Sequence, residues 1–120
     1  SLIEAAKKFD SGKIYFQKNV KINEFHLFEK IKKIQLNNNL NLLKKFLKYY
    51  KKYNINPKTK NQKGIPTYYK LRKPSDSKIN LNKSIKSQFN LLRVCDFDNY
   101  PAYFYYKKKK FLIKLQKKNR

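Results

Sequence analysis

The sequence predicts an α/β protein, and three observations carry this prediction. β-Prone residues flank a turn signal near the start, and apolar residues then recur at three- and four-residue steps through the middle. Two aromatic-rich runs near the end are separated by four lysines. At 120 residues the chain is about one domain, long enough for a core but small for an enzyme with two substrates.

The first strands are expected around a turn at Asp10. Asp10 is followed two residues later by Gly12, which is a turn signal, because aspartate bonds its own backbone and glycine accepts positive φ. Apolar, β-prone residues on both sides predict two strands within residues 1–22, with the Asp10 carboxylate at the mouth of a sheet. Two alternatives stay open: an isolated Asp-x-Gly is often a plain turn, and Glu4–Lys8 suits a helix on propensity.

An amphipathic helix is predicted next. Asn23 is a suitable N-cap, and Glu24 places a carboxylate in the first turn, where the helix dipole favours it. Asn37–Asn39 are expected to interrupt or kink the helix, because their side chains compete with the backbone for hydrogen bonds. The apolar stripe of this helix is expected to pack on the sheet. Its members are Leu27, Phe28, Ile31, Ile34, Leu36, Leu40, Leu43, Leu47 and Tyr50.

The second half begins with the linker-like passage Pro57–Pro74. Asn82 or Ser84 is expected to cap a further helix that ends near Cys95. Ala102–Tyr106 and Phe111–Leu115 then predict a β-hairpin, with the intervening lysines at its tip.

The chain is strongly basic, with 31 Lys+Arg against 7 Asp+Glu and a net charge of +24. Such a charge favours polyanions through counterion release, which predicts non-specific nucleic-acid binding at low salt. Between Glu29 and Asp76 there is no acidic residue, and Tyr49, Tyr50 and Tyr53 offer rings that stack on bases. The alternative is a solvated helix face, which is favoured because abundant Lys, Asn, Ile, Tyr and Phe indicate an AT-rich genome.

Other classes of site are not predicted. One cysteine, Cys95, excludes an internal disulfide and is too few for a thiolate metal site, and His26 has no ligand at metal spacing. No apolar run approaches a membrane span, so a cytoplasmic location is expected. The chain contains no methionine and starts at Ser1, so we interpret it as a fragment or a processed piece.

The stretch Asp-x-Gly-x-Ile-x-x-Gln from Asp10 to Gln17 resembles the aspartate loop of the folate-dependent formyltransferases. That family includes methionyl-tRNA formyltransferases and sugar N-formyltransferases. Later segments are similar to the family in the same order, and the resemblance covers about residues 2–115. These segments are Gln62-x-Gly64 before Thr67-Tyr68-Tyr69, Arg72-Lys73-Pro74-x-Asp76, Asn90-Leu91-Leu92-Arg93-Val94, and Tyr100-Pro101-Ala102-Tyr103-Phe104.

The resemblance implies a fold as well as a role. Residues 1–56 would be the C-terminal part of a Rossmann-like formyltransferase domain. Residues 57–115 would form a linker and a small α+β extension ending in the β-hairpin, and residues 116–120 a disordered tail.

In the family, an Asn, a His and an Asp carry the transfer of a formyl group from 10-formyltetrahydrofolate to an amine. Asp10 matches the Asp, and a carboxylate is apt there because it orients a histidine that takes the amine proton. The family's Asn-x-His and Ser-Leu-Leu-Pro segments lie upstream of the aspartate loop and are not in this sequence. His26 comes after Asp10 and cannot replace that histidine. We therefore expect the parent protein to be an N-formyltransferase and this chain alone to be inactive.

The acceptor is expected to be a nucleotide-linked amino sugar, because Arg72-Lys73-Pro74 and Tyr100-Pro101-Ala102 look more like the sugar-modifying branch. Initiator tRNA is the alternative, and a small basic RNA-binding protein without enzymatic ancestry is the rival from another class. Arg72 and Arg93 are candidates to hold a substrate phosphate, although Arg93 is equally suited to an ion pair with Asp96 or Asp98. A homodimer of the full-length protein stays open.

Overall fold

The computed structural model describes residues 1–119, and the chain divides into two compact units. Unit 1 combines Ser1–Lys21 with Lys33–Tyr68, and unit 2 combines Ile22–Lys32 with the chain from Tyr69 onward. Within residues 1–119 there are two antiparallel two-stranded sheets and two α-helices, so the mixture of helix and strand agrees with the prediction. The Rossmann-like arrangement and the domain bounds at residues 56 and 57 stay predictions.

Unit 1 begins with two short strands around the Asp10 turn. β1, Leu2–Ile3, pairs antiparallel with β2, Ile14–Phe16. The first strand is shorter than predicted and ends at Ile3. The next residue, Glu4, donates its N–H to the Lys13 carbonyl at 2.8 Å and so closes the base of the Asp10 turn. Ile14 also exchanges two backbone hydrogen bonds with Lys60, of 2.8 and 3.0 Å, which adds a third segment beside β2.

The long helix α1, Phe28–Tyr53, starts later than predicted. The Asn23 side chain accepts a hydrogen bond from the Phe25 N–H at 3.0 Å and so forms a turn before the helix. The acidic residue of the first turn is therefore Glu29. The predicted interruption at Asn37–Asn39 is wrong, because α1 is continuous there. Two of these asparagines are exposed, and the central one, Asn38, is buried on the packed face.

The packed face of α1 in unit 1 is not the stripe that periodicity indicated. Leu42 is buried, and Phe46 packs edge-on against Tyr15 of β2 with ring centroids 5.0 Å apart. The other face leaves apolar side chains about half exposed, because a sheet of such short strands covers one side of the helix only. This exposed stripe consists of Leu36, Leu40, Leu43, Leu47 and Tyr50. Its expected packing on the sheet is wrong.

The core of unit 2 lies beneath a two-stranded sheet. β3, Ala102–Tyr106, pairs antiparallel with β4, Lys109–Ile113, and Ala102 faces Ile113. Ile79, Leu92 and Ala102 are buried together. Lys107 and Lys108 form the turn, with φ of 47° and 64°. The other two lysines of the run belong to β4, because a two-residue connection is enough to reverse an antiparallel pair.

The remaining elements of unit 2 are short. A 3₁₀ turn covers Pro74–Ser77, and a second one, Lys86–Gln88, leads into α2, Phe89–Arg93. The Ser84 Oγ accepts a hydrogen bond from the Ser87 N–H at 3.1 Å, which closes a turn at this point. The N-cap residues are Ile85 for the second 3₁₀ turn and Gln88 for α2, so the predicted cap at Asn82 or Ser84 is wrong. Residues 116–119 have no regular secondary structure, and the last residue of the predicted disordered tail lies outside the described residues. No helix of residues 1–119 is long and apolar enough to cross a membrane.

Candidate functional site

The Asp10 loop, defined here as residues 8–13, joins the two strands of unit 1. Asp10 is exposed and has left-handed backbone, with φ of 57°. Aspartate is among the few residues other than glycine that tolerate this conformation, because its short side chain bonds locally. Ser11 closes the turn, with its Oγ donating to the Lys8 carbonyl at 2.8 Å. The loop thus presents the Asp10 carboxylate at the surface of unit 1.

Gly12 is required for a different reason from the one the turn pattern suggested. Asp10 is the loop residue with positive φ, and the glycine with positive φ in unit 1 is Gly64 instead. Gly12 is buried against β1, and a Cβ there would overlap the carbonyl oxygen of Glu4. The close approach of two backbone segments, rather than backbone conformation, therefore excludes a side chain at this position.

A side chain from far along the chain also contacts the Asp10 loop. The Gln62 Nε2 donates to the carbonyl oxygens of Asp10 and of Gly12, each at 2.7 Å. Gln62 belongs to the stretch Gln62-x-Gly64 that resembles the family, but the sequence indicates no contact for its side chain. No local signal connects it to Asp10, because the two residues are 52 positions apart.

A cavity of about 780 Å³ opens beside Asp10 within unit 1. Its lining includes Gln17 and two lysines, Lys60 and Lys63. The Asp10 carboxylate can accept a hydrogen bond from the N–H of a side chain that acts as a base. The two lysines supply positive charge for an anionic group. No histidine of residues 1–119 lines this cavity. His26 belongs to unit 2, where its Nδ1 accepts a hydrogen bond from the Asn23 N–H at 3.3 Å.

Arg72 lies in unit 2 and its guanidinium is held by protein groups. One nitrogen, Nη2, contacts the Ser77 Oγ at 3.1 Å and the Cys95 Sγ at 3.5 Å. Ser77 is fully buried, and its hydroxyl donates to the Tyr100 carbonyl at 3.0 Å. These contacts tie the 3₁₀ turn to the segment before β3. The proposed phosphate contact of Arg72 stays a prediction.

Arg93 also makes contacts inside unit 2. Its Nε donates to the Asn90 side chain at 2.7 Å, and its Nη1 donates to the carbonyls of Asn23 and His26 at 3.2 and 3.0 Å. The guanidinium therefore braces the turn that precedes α1. Within residues 1–119 these are its hydrogen-bond partners, in place of the ion pair that the sequence allowed. Its phosphate contact likewise stays a prediction.

Asp96 instead forms a local cap in unit 2. Its carboxylate accepts hydrogen bonds from the Asn99 side chain at 2.7 Å and from the backbone N–H groups of Asn99 and Asp98. The Asn99 side-chain bond is the main cause that lowers the pKa of Asp96 below its ordinary value. The described residues contain no cluster of three His, Cys, Asp or Glu side chains that would hold a metal ion.

Comparisons with known proteins bear on the fold. No protein-family model matches the chain, and no curated protein matches it. Among solved structures, methionyl-tRNA formyltransferase from Clostridium thermocellum is similar, with a TM-score of 0.71 at 20% sequence identity. The match covers 98% of this chain and 49% of that one.

The chain has the fold of part of a formyltransferase. The resemblance first drawn from the Asp10 stretch is thereby confirmed at the level of the fold. The chain spans about half the length of the protein it matches.

Proposed function

We propose that this chain is the aspartate-loop part of an N-formyltransferase, which moves a formyl group from 10-formyltetrahydrofolate to a primary amine. One observation carries the proposal: Asp10, which matches the family's aspartate, stands at an exposed turn in a fold shared with a formyltransferase. Fold alone does not decide function, so the weight falls on this residue and its surroundings.

The chemistry assigned to Asp10 is that of an orienting carboxylate. It would hold a histidine in the tautomer and the direction needed to take the proton of the acceptor amine. 10-Formyltetrahydrofolate supplies the formyl group. The cavity beside Asp10 has the volume of an ordinary small-molecule site, and Lys60 and Lys63 offer positive charge for anionic groups of either substrate.

The cavity lining indicates how the active site would be divided between this chain and the half of the formyltransferase that it does not match. Because no histidine of the described residues lines it, the base would come from the half of the formyltransferase that this chain does not match. The same half would cover the exposed stripe of α1, since an apolar face of this extent is usually buried against protein. This chain alone is therefore expected to be inactive.

Two acceptors are candidates. Methionyl-tRNA is supported by the name of the similar structure and by the net charge of +24, which favours a polyanion. A nucleotide-linked amino sugar is supported by the sequence resemblance of Arg72-Lys73-Pro74 and Tyr100-Pro101-Ala102 alone. We place methionyl-tRNA first in the assay and the amino sugar second.

A chimera tests the proposal. This chain replaces the matched half of the Clostridium thermocellum enzyme, and formyl transfer to each acceptor is measured. We expect transfer by the chimera, and a loss of about 10²- to 10⁴-fold in kcat for Asp10→Asn, because aligned proton transfer is worth that much. Asp98→Asn is the matched control, since it removes another exposed carboxylate in unit 2.

Two results would overturn the proposal. A folded chimera that transfers no formyl group to either acceptor would exclude the formyltransferase role. Equal rates for Asp10→Asn and the parent chimera would exclude the catalytic role of Asp10. The isolated chain should show no transfer above the rate without enzyme, and transfer there would refute the division of the active site.

The RNA-binding alternative is separated by salt dependence. It predicts tight binding of this chain to RNA, with log affinity falling steeply against log salt concentration, and a preference among RNA sequences or shapes. The formyltransferase part predicts weak binding that does not discriminate among RNAs. Fluorescence anisotropy with transfer RNA and an unrelated RNA of equal length measures both quantities.

A further inference from the structure

The Asp10 loop is held by a residue that local sequence does not connect to it. Gln62 spans 52 positions to reach the Asp10 carbonyl and 50 positions to reach the Gly12 carbonyl. Both acceptors are carbonyl oxygens, so the amide group must face them with its NH₂ and not with its oxygen. Both hydrogens of that NH₂ are used, at donor–acceptor distances of 2.7 Å.

The backbone that carries Gln62 is anchored to the sheet through Lys60, two residues before it. Lys60 exchanges two backbone hydrogen bonds with Ile14, which lies in β2 immediately after the Asp10 loop. The segment that carries Gln62 is therefore fixed to the sheet, and its amide acts from a rigid support. A clamp of this kind restricts the Asp10–Ser11 and Gly12–Lys13 peptide planes. The first of these planes adjoins the Cα of Asp10, so the clamp restricts the backbone of that residue.

The Gln62 hydrogen bonds act on a residue, Asp10, whose backbone conformation is unfavourable. Left-handed φ is unfavourable for L-residues other than glycine, and aspartate adopts it only when its surroundings favour it. We infer that Gln62 is a positioning residue that holds Asp10 in this conformation at the edge of the cavity. The catalytic consequence rests on the proposed function, whereas the structural contact does not.

The neutrality of Gln62 matters in a chain so rich in lysine. An ammonium group at this position would also donate to both carbonyls, but it would place a positive charge beside the Asp10 carboxylate. The amide supplies the same donors and leaves the charge of the carboxylate free for a histidine. Glutamine thus holds the two backbone carbonyls without adding a charge that would compete with a histidine for the Asp10 carboxylate.

Hydrogen exchange on the full 120-residue chain tests the clamp. The reporter is the Glu4 N–H, which is bonded to the Lys13 carbonyl at the base of the loop. Gln62→Met keeps the side-chain length and removes both donors. We expect exchange at Glu4 to become about 30-fold faster, which corresponds to two neutral hydrogen bonds of ordinary strength.

Two controls keep the result specific. The Ile79 N–H, bonded to the Tyr103 carbonyl at 2.7 Å in unit 2, reports whether the chain stays folded. Gln88→Met removes a matching clamp in unit 2, where the Gln88 Nε2 bonds three backbone carbonyls. That variant should leave exchange at Glu4 unchanged.

The three-bond HN–Hα coupling of Asp10 separates positioning of Asp10 from general stapling of the loop, because this coupling reports φ at that residue. Gln62→Met should move the coupling away from its value in the parent chain, since Asp10 without the clamp leaves the left-handed region. Gln62→Lys should restore most of the protection, because it restores the donors. Unchanged exchange at Glu4 in Gln62→Met, or an unchanged Asp10 coupling in that variant, would overturn the inference.

The catalytic consequence is measured in the chimera described above. Gln62→Met should lower kcat by about tenfold with KM nearly unchanged, because the fraction of loops with Asp10 in place falls. A chimera that is inactive with native Gln62 counts against the proposed function only. The exchange experiments then still decide whether Gln62 positions Asp10.

Discussion

Substitution of Gly12 by alanine provides the sharpest test of how the Asp10 loop is built. The added Cβ would overlap the Glu4 carbonyl oxygen and stand 2.7 Å from the carbonyl carbon. The obstacle is backbone, so no side-chain rotation relieves it. To accept the methyl group the two segments must separate, which breaks the 2.8 Å hydrogen bond from the Glu4 N–H to the Lys13 carbonyl.

The expected cost follows from these two losses. Overpacking costs about 1–3 kcal/mol, and the lost hydrogen bond about 1 kcal/mol. Alanine lowers the entropy of the unfolded chain and returns about 0.4–1 kcal/mol. Gly12→Ala should therefore lower the free energy of unfolding by about 1–3.5 kcal/mol, a sizeable share of the ~5–15 kcal/mol that holds a typical domain together.

Urea unfolding followed by far-UV circular dichroism measures this free energy. Gly64→Ala is the matched control, because Gly64 has φ of 101° and nothing within 4 Å of the added Cβ. Its cost is conformational only and should be about 1–2 kcal/mol. If Gly12→Ala unfolds at the urea midpoint of the parent chain, the close approach of Glu4 and Gly12 is refuted.

Three further predictions concern packing and charge. Leu42→Ala should destabilise the chain by about 2–5 kcal/mol, whereas Leu43→Ala on the exposed stripe should cost under about 1 kcal/mol; thermal unfolding of the pair decides which face of α1 is packed. Ser77→Val should cost about 2–3 kcal/mol in urea unfolding, because it leaves the part-buried Tyr100 carbonyl and the Arg72 guanidinium without this partner. The Asp96 carboxylate, stabilised chiefly by the Asn99 side chain, has a lowered pKa, so its contribution to stability is present above the unfolded-state pKa near 3.8 and is lost as pH falls through the folded-state pKa. Acid titration by NMR should give a lower pKa for Asp96 in the parent than in Asn99→Ala, where only the two backbone hydrogen bonds remain.

The structure changes the interpretation of the two arginines. Both Arg72 and Arg93 donate to protein acceptors within unit 2, so each has a structural contact whether or not it also meets a phosphate. Substitution of either is therefore expected to affect stability as well as binding. A loss of activity after such a substitution is informative only beside an unfolding measurement.

The local features of the fold follow from the sequence alone. The Asp10 turn between β-prone segments, the long periodic helix and the strand run Ala102–Tyr106 all agree with the structure in kind. These features depend on residues within a few positions of one another, since turn chemistry and helical period act over that distance. The formyltransferase resemblance rested on such segments, and the shared fold supports it.

The contacts of these elements, by contrast, required the three-dimensional structure. Periodicity marked the apolar residues of α1 but did not say which face packs, because two faces of one helix satisfy steps of three and four. The turn pattern marked Gly12 but attributed it to positive φ, which was wrong. Glycine is needed there because the Glu4 carbonyl leaves no room for a Cβ. The Gln62 clamp on Asp10 had no signal at all, because a contact between residues 52 positions apart leaves no pattern in a single sequence.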